Sequence, residues 1–195
     1  MNMRTRLVIV LTFLVGGCDT KYDYVELKLS KKNPTTYEFN ASLRQTQLAL
    51  RRAYTGVPRI NIEFAADSQI VWGKDILRSP QNSNDAYLYN FSHDSSLIYY
   101  SKKRTIPYWY NLWIHFEEIS PGTTQVKVIA IDPQIGIGVR FPYNVLPISE
   151  PGAALTKRVP SSTIEEYRLL LAVGNQLGVA HKMSPLVLPE TPAPQ

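Results

Sequence analysis

The chain has 195 residues, 44% of them hydrophobic, which is enough to bury a sizeable core, and its length suits one domain. Its formal net charge of +5 is too small an excess to argue for nucleic acid as a partner. A single cysteine excludes an internal disulfide, and three histidines without close spacing offer no metal-ligand pattern.

The first residues carry the most specific signal. Arg4 and Arg6 precede an uncharged apolar run, Leu7 to Val15, and the small pair Gly16-Gly17 leads into Cys18. Basic region, short apolar region and small residues in this order form a secretory signal peptide. The run is about half the roughly twenty residues that a membrane-spanning helix needs. The ending Leu14-Val15-Gly16-Gly17-Cys18 resembles the lipobox of bacterial lipoproteins, usually Leu, a small residue, Gly or Ala, then Cys. The resemblance covers the leader alone. It implies a diacylglycerol on the Cys18 thiol, cleavage before that residue and acylation of the new amine with a palmitate-type chain. It further implies a lipid-anchored protein of a bacterial cell envelope, facing the periplasm. Asp19, next after the cysteine, favours the inner membrane under enteric-type sorting, and the choice between inner and outer membrane stays open.

The expected organisation is therefore a signal peptide over 1–17, a lipidated tether over 18–23, one domain over 24–181 and a flexible proline-rich tail over 182–195. Without Arg4 and Arg6 the remainder carries 19 basic and 16 acidic side chains, a net +3. That permits a weak attraction to anionic lipid or wall polymer. Tyr24 to Leu29 reads as an edge strand. A helix follows Asn40 as cap, with Leu43, Leu50 and Tyr54 near one stripe, and Gly56 and Pro58 stop it. The period then changes to two. Ile60, Ile62 and Phe64 alternate, Tyr87, Tyr89 and Phe91 repeat the pattern, and Ser96 to Ser101 is strand-like. Lys102-Lys103-Arg104 reads as a solvated loop.

The strongest hairpin joins Tyr108–Ile119 to Gln125–Ile131 through Ser120-Pro121-Gly122-Thr123, a type II turn sequence. A plain two-residue turn places Lys127 on the Phe116 face. One extra loop residue places Val126, Val128 and Ala130 there, and this cleaner core is the register expected. Ile135 to Phe141 gives another strand. After Val159-Pro160, Ser162 and Glu165 form a capping-box pattern. Ile164, Tyr167, Leu170, Leu171, Gly174 and Leu177 then make one apolar helix face, ended by Gly178. The expected fold class is α+β, an antiparallel sheet of about five to seven strands with two main helices packed on one face.

Catalytic motifs are sparse. There is no Gly-x-Ser-x-Gly and no phosphate loop, and Gly136-Ile137-Gly138 lacks the third glycine and the helix of a dinucleotide site. His93 to Ser96, "HDSS", holds the residue types of a serine triad, but neighbours in a strand or turn point in different directions, so it reads as a polar turn. No cofactor is expected. The strand "YWYNLWIHFEEI" is more informative. Tyr108, Tyr110, Leu112, Ile114 and Phe116 form its core face, while Trp109, Asn111, Trp113, His115 and Glu117 form the other. Aromatic residues with polar handles are enriched at interaction surfaces, so Trp109, Trp113, His115 and Glu117 are the candidate binding residues. The expected function is a non-catalytic binding or assembly module of the envelope, with an envelope protein as partner and the membrane held through Cys18. Its rivals are a periplasmic carrier of a lipid or other apolar ligand, and a hydrolase using His115 and Glu117 as acid and base.

Overall fold

A computed structural model describes residues 18–57, 61–64, 84–94, 99–101, 106–141 and 153–190, with residues 18–20, 61, 90–94, 140, 141 and 153 described by their backbone. The segment 1–17 read as a signal peptide, the Lys102-Lys103-Arg104 cluster, Ser95-Ser96 and the tail beyond residue 190 lie outside the described residues.

Among the described residues, nine strands and two α-helices follow in the order β1 (Cys18–Lys21), β2 (Val25–Glu26), β3 (Thr36–Phe39), α1 (Leu43–Tyr54), β4 (Asn61–Phe64), β5 (Asp85–Asp94), β6 (Tyr99–Tyr100), β7 (Pro107–Ser120), β8 (Thr123–Phe141), β9 (Ala153–Arg158) and α2 (Ile164–Gln176). A 3-10 turn spans Ala180–Lys182. Seven strands form one antiparallel sheet with β1-β8-β7-β5-β4 as its main path, and β3 and β9 also pair with β8. The fold is the expected α+β type.

β8 is the spine. Thr124 to Lys127 pair with both β7 and β3, and Gln134 and Ile135 pair with both β7 and β9, so β3 and β9 share the edge away from β7. Gly138 to Arg140 pair with both β9 and β1, which puts β1 beyond the start of β7 on the other edge. The β7–β8 hairpin turns through Pro121-Gly122, and Gly122 takes φ 79°, the left-handed conformation that a type II turn asks of its third residue. Its register is the expected one: Phe116 stands opposite Val126, Ile114 opposite Val128 and Leu112 opposite Ala130. The extra residue that sets it is Ile119, a bulge between the Glu118 and Ser120 pairs.

Both helices cover one face. α1 and α2 pack on each other, α2 also meets β8 and β3, and α1 meets β7 and β8. Leu112, Ile114 and Phe116 from β7, Val126 and Val128 from β8, and Ile164, Tyr167, Leu170 and Val173 from α2 are all 0–1% exposed. The space between sheet and α2 is thus packed with side chains, where an apolar-ligand carrier would need a cavity.

Several expectations need correcting. Residues 18–21, read as part of a tether, are a sheet strand, and the Tyr22 amide continues it by donating to Ile137 O at 2.8 Å. Of the edge strand over 24–29 only Val25 and Glu26 pair, with Tyr100 and Tyr99, in a separate two-stranded sheet. The two runs Gln125–Ile131 and Ile135–Phe141 are one strand. The Asp132-Pro133 step between them is absorbed by an irregularity in which Asp132 takes φ 48°. The cap of α1 is Ser42, not Asn40. The Ser42 hydroxyl accepts from the Gln45 amide and the Gln45 side chain accepts from the Ser42 amide at 3.0 Å, a capping box that outcompetes a lone asparagine.

α2 is buried more widely than one face. Leu169 and Val173 join Ile164, Tyr167, Leu170 and Gly174 in the interior, whereas Leu171 and Leu177 are only half-buried. At its start the expected Ser162–Glu165 capping box does not form: the Ser162 hydroxyl instead donates to Glu165 Oε2 at 2.6 Å. The Ser162 hydroxyl also accepts from the Ile164 amide, while the cap position itself is Thr163 at φ 67°. Glu165 and Glu166 are each 2% exposed. Glu166 fills a structural gap. Along the outer edge of β8, Val128 N–H donates to Thr35 O beside β3 and Val159 N–H donates to Pro133 O beside β9. Between them the Ala130 amide has no strand opposite, and it donates to Glu166 Oε1 at 3.1 Å, with the Ser161 hydroxyl donating to the same oxygen.

The segment read as a flexible tail is held down through Val187. Tyr167 OH donates to Ser184 O at 2.6 Å, Met183 is buried, and Asn33 grips the Val187 backbone at both ends. Proline keeps this segment out of helix and sheet, but side-chain hydrogen bonds fix it instead.

Candidate functional site

The helix-free face of the sheet is built by the alternation of β7. Tyr108, Tyr110, Leu112, Ile114 and Phe116 point to the helices and are buried. Trp109, Asn111, Trp113 and His115 point the other way and are half-buried, and Glu117 is exposed. The four candidate residues Trp109, Trp113, His115 and Glu117 therefore share one face, as the period predicts.

The register of the neighbours completes the site. Asp85 stands opposite His115 and Tyr87 opposite Trp113, on β5. On β8, Lys127 stands opposite His115 and Ile129, 40% exposed, opposite Trp113. In β5 the core face belongs to Ala86 and Leu88, both 0% exposed. Tyr87 and Tyr89, read as following the apolar alternation, lie on the Trp113 side instead, because pairing with β7 forces Leu88 opposite Leu112.

His115 Nδ1 lies 2.7 Å from Asp85 Oδ1; the Asp85 side chain is 4% exposed and that of His115 27%. An ionised carboxylate can only accept, so the His115 Nδ1–H donates this bond. The ring is braced from the side by Trp113, with centroids 5.7 Å apart and planes at 19°. Tyr87 and Tyr89 stack in parallel at 6.2 Å and 15°. Burial, helped by the Asp85 charge, pushes the Tyr87 hydroxyl up to about 12. Burial, then the Glu63 carboxylate by its charge and by a hydrogen bond, raises Tyr89 as well. The Trp113 indole N–H is buried and has no hydrogen-bond partner among the described residues. Trp109 lies over Gly136: a Cβ there would sit 3.3 Å from Trp109 Cη2 and 3.2 Å from Pro107 Cδ, so the glycine makes room for the indole.

Of the residues singled out in advance, Trp113 and His115 touch, Trp109 sits further along the strand, and Glu117 makes no hydrogen bond or ion pair with His115. The carboxylate that serves His115 is Asp85, which no local spacing marks, since it lies thirty positions away. His115 makes no hydrogen bond to a hydroxyl or thiol among the described residues. In "HDSS", the backbone of His93 pairs with Tyr108 and that of Asp94 with Pro107. Among the described residues no three His, Cys, Asp or Glu side chains gather as metal ligands, and no helix is long and apolar enough to cross a membrane. Open clefts away from this face include one of about 470 Å³ between α1 and the C-terminal end of α2, and one of about 320 Å³ at the N-terminal end of α2. Comparison with protein-family models, with curated proteins and with solved structures found no match to this chain.

Proposed function

We propose that the chain is a lipid-anchored lipoprotein of the bacterial envelope, a non-catalytic module facing the periplasm that binds another envelope protein through the helix-free face of its sheet. The observation that carries the binding role is the strip Trp109–Trp113–His115. Its aromatic rings are half-open on a sheet face that the helices leave uncovered, and the polar ring among them is fixed in orientation by buried Asp85. Rigid aromatic side chains with one polar handle lose little entropy on binding, which is why they anchor interfaces. The anchor rests on the leader and on Cys18, whose acylation would tie the domain to the membrane by two or more chains.

The test is a pull-down from native membranes with wild type and Trp113→Ala, run beside a melt of each. The expected result is a fold that survives and a partner held roughly thirtyfold more weakly, the loss that a central aromatic anchor of about 2 kcal/mol gives. A stable variant that captures its partner as well as wild type sinks the binding role of this face. Mass spectrometry of the mature N-terminus reads the anchor separately: an unmodified Cys18 removes it.

A further inference from the structure

We infer that the cleft at the N-terminal end of α2 is a second membrane contact, a site for anionic phospholipid at the bilayer surface. The cleft encloses about 320 Å³; Leu27, Leu29, Pro160 and Pro189 give it apolar walls, and Lys28 and Lys32 stand on its rim. Lys28, Lys31 and Lys32 are all exposed, three cations within five residues, and none of them pairs with a carboxylate among the described residues. Val25, next to the cleft in sequence, is 60% exposed. Unpaired cations beside apolar surface suit an amphiphile whose phosphate meets the ammonium groups while the first carbons of its chains meet the walls. An acidic peptide would satisfy the lysines but leave the walls unused.

The serines at the mouth do not compete for this role. Ser161 and Ser162 also line the cleft, but their hydroxyl protons are given inward to Glu166 and Glu165, and their oxygens accept from the Thr163 and Ile164 amides. They have no proton to offer a ligand, so recognition of the anion falls to Lys28 and Lys32. Glu26 is the carboxylate on the lining and sets the side on which a phosphate is least welcome. The inference rests on the anchored reading for where the membrane lies. Lys28 follows Cys18 by ten positions, a reach of at most about 35 Å. A bilayer that holds Cys18 is therefore within range of the cleft.

The test is flotation of the chain from residue 18 onward with vesicles of phosphatidylcholine alone or of an equimolar mixture with phosphatidylglycerol. The expected result is stronger partition into the anionic vesicles, lost at high salt. The variant Lys28→Gln/Lys32→Gln should weaken that partition roughly tenfold or more and leave the neutral vesicles unaffected. The variant Arg44→Gln/Lys182→Gln, which removes the same charge elsewhere, should leave both unchanged. Equal partition into the two vesicle types, or equal damage from the two variants, overturns the site. So does release of the bound chain by an acidic peptide at constant ionic strength, which would make the partner a protein. All the chains compared begin at residue 18 and carry Cys18→Ser, so no acyl chain holds them to either vesicle and the cleft alone is read.

Discussion

His115 and Asp85 stand directly opposite each other on β7 and β5, and the imidazole Nδ1 of the one meets the buried carboxylate of the other at 2.7 Å. The pair makes the polar end of the aromatic face a fixed feature. Asp85→Asn keeps the shape but removes the charge-assisted bond, and it allows the amide to face the ring with its NH₂ and turn the tautomer over. The expected cost is about 1–3 kcal/mol in a urea melt, together with loss of the Nδ1–H tautomer in nitrogen NMR of His115. A tautomer that persists unchanged would mean that stacking on Trp113 alone sets the ring.

Leu170 and Leu171 are adjacent on α2 but differ in burial, Leu170 at 0% exposed and Leu171 half-buried. Leu170→Ala should cost about 2–5 kcal/mol, because the packed layer above the sheet closes only partly over the lost atoms. Leu171→Ala should cost clearly less. Equal shifts in the two melts would contradict the placement of α2.

Asn33 fastens three parts of the chain. Its amide side chain accepts from Val187 N–H at 2.8 Å and donates to Val187 O at 3.0 Å, and its own backbone N–H donates to Thr163 Oγ1 at 2.9 Å. Asn33→Ala keeps the last bond and strips the first two. The segment after Ser184 should then become readily cleaved in limited proteolysis, at a stability cost of about 1–2 kcal/mol. Cleavage no faster than wild type would show that Met183 and Leu186 hold the segment without Asn33.

Burial pushes the hydroxyls of Tyr54, Tyr87 and Tyr99 from 10.0 up to about 12, and raises those of Tyr108 and Tyr110 further. Each holds its proton more tightly folded than unfolded. Stability is therefore intact below pH 10 and falls as the pH climbs from 10 through 12. Urea midpoints across that range should decline together with a late, cooperative rise in tyrosinate absorbance. Tyrosines that ionise near pH 10 with no loss of stability would refute the burial of this group.

Much of this architecture was legible because its signals are local. The alternation from Tyr108 to Phe116 separates the two faces of β7, and the demand for an apolar partner to Phe116 selects the hairpin register. What escaped was long-range or contextual. β3 and β9, Thr36–Phe39 and Ala153–Arg158, are short and weakly patterned, and they are strands because β8 offers them an edge. Tyr87 was placed with the apolar alternation because tyrosine is ambivalent about burial, and only its pairing with Trp113 decides its side. Asp85 gains its role solely from that same pairing. Lys28, Lys31 and Lys32 are neighbours in the sequence, but the cleft beside them borrows Pro160 and Pro189 from far along the chain and so has no local signal.

β1 is separated from its partner by nearly the whole domain: Cys18 pairs with Phe141, and between them lie both strands of the long hairpin. A chain emerging from its N-terminus exposes residues 18–21 first, but the stretch of β8 that receives them appears 123 positions later. Early in emergence the sheet cannot close, because its spine has not yet arrived. The segment bearing the only thiol thus has no β8 edge to pair with throughout that interval. An enzyme acting on Cys18 would have its substrate presented by the order of synthesis, and the finished sheet would afterwards draw the modified residue in against the domain.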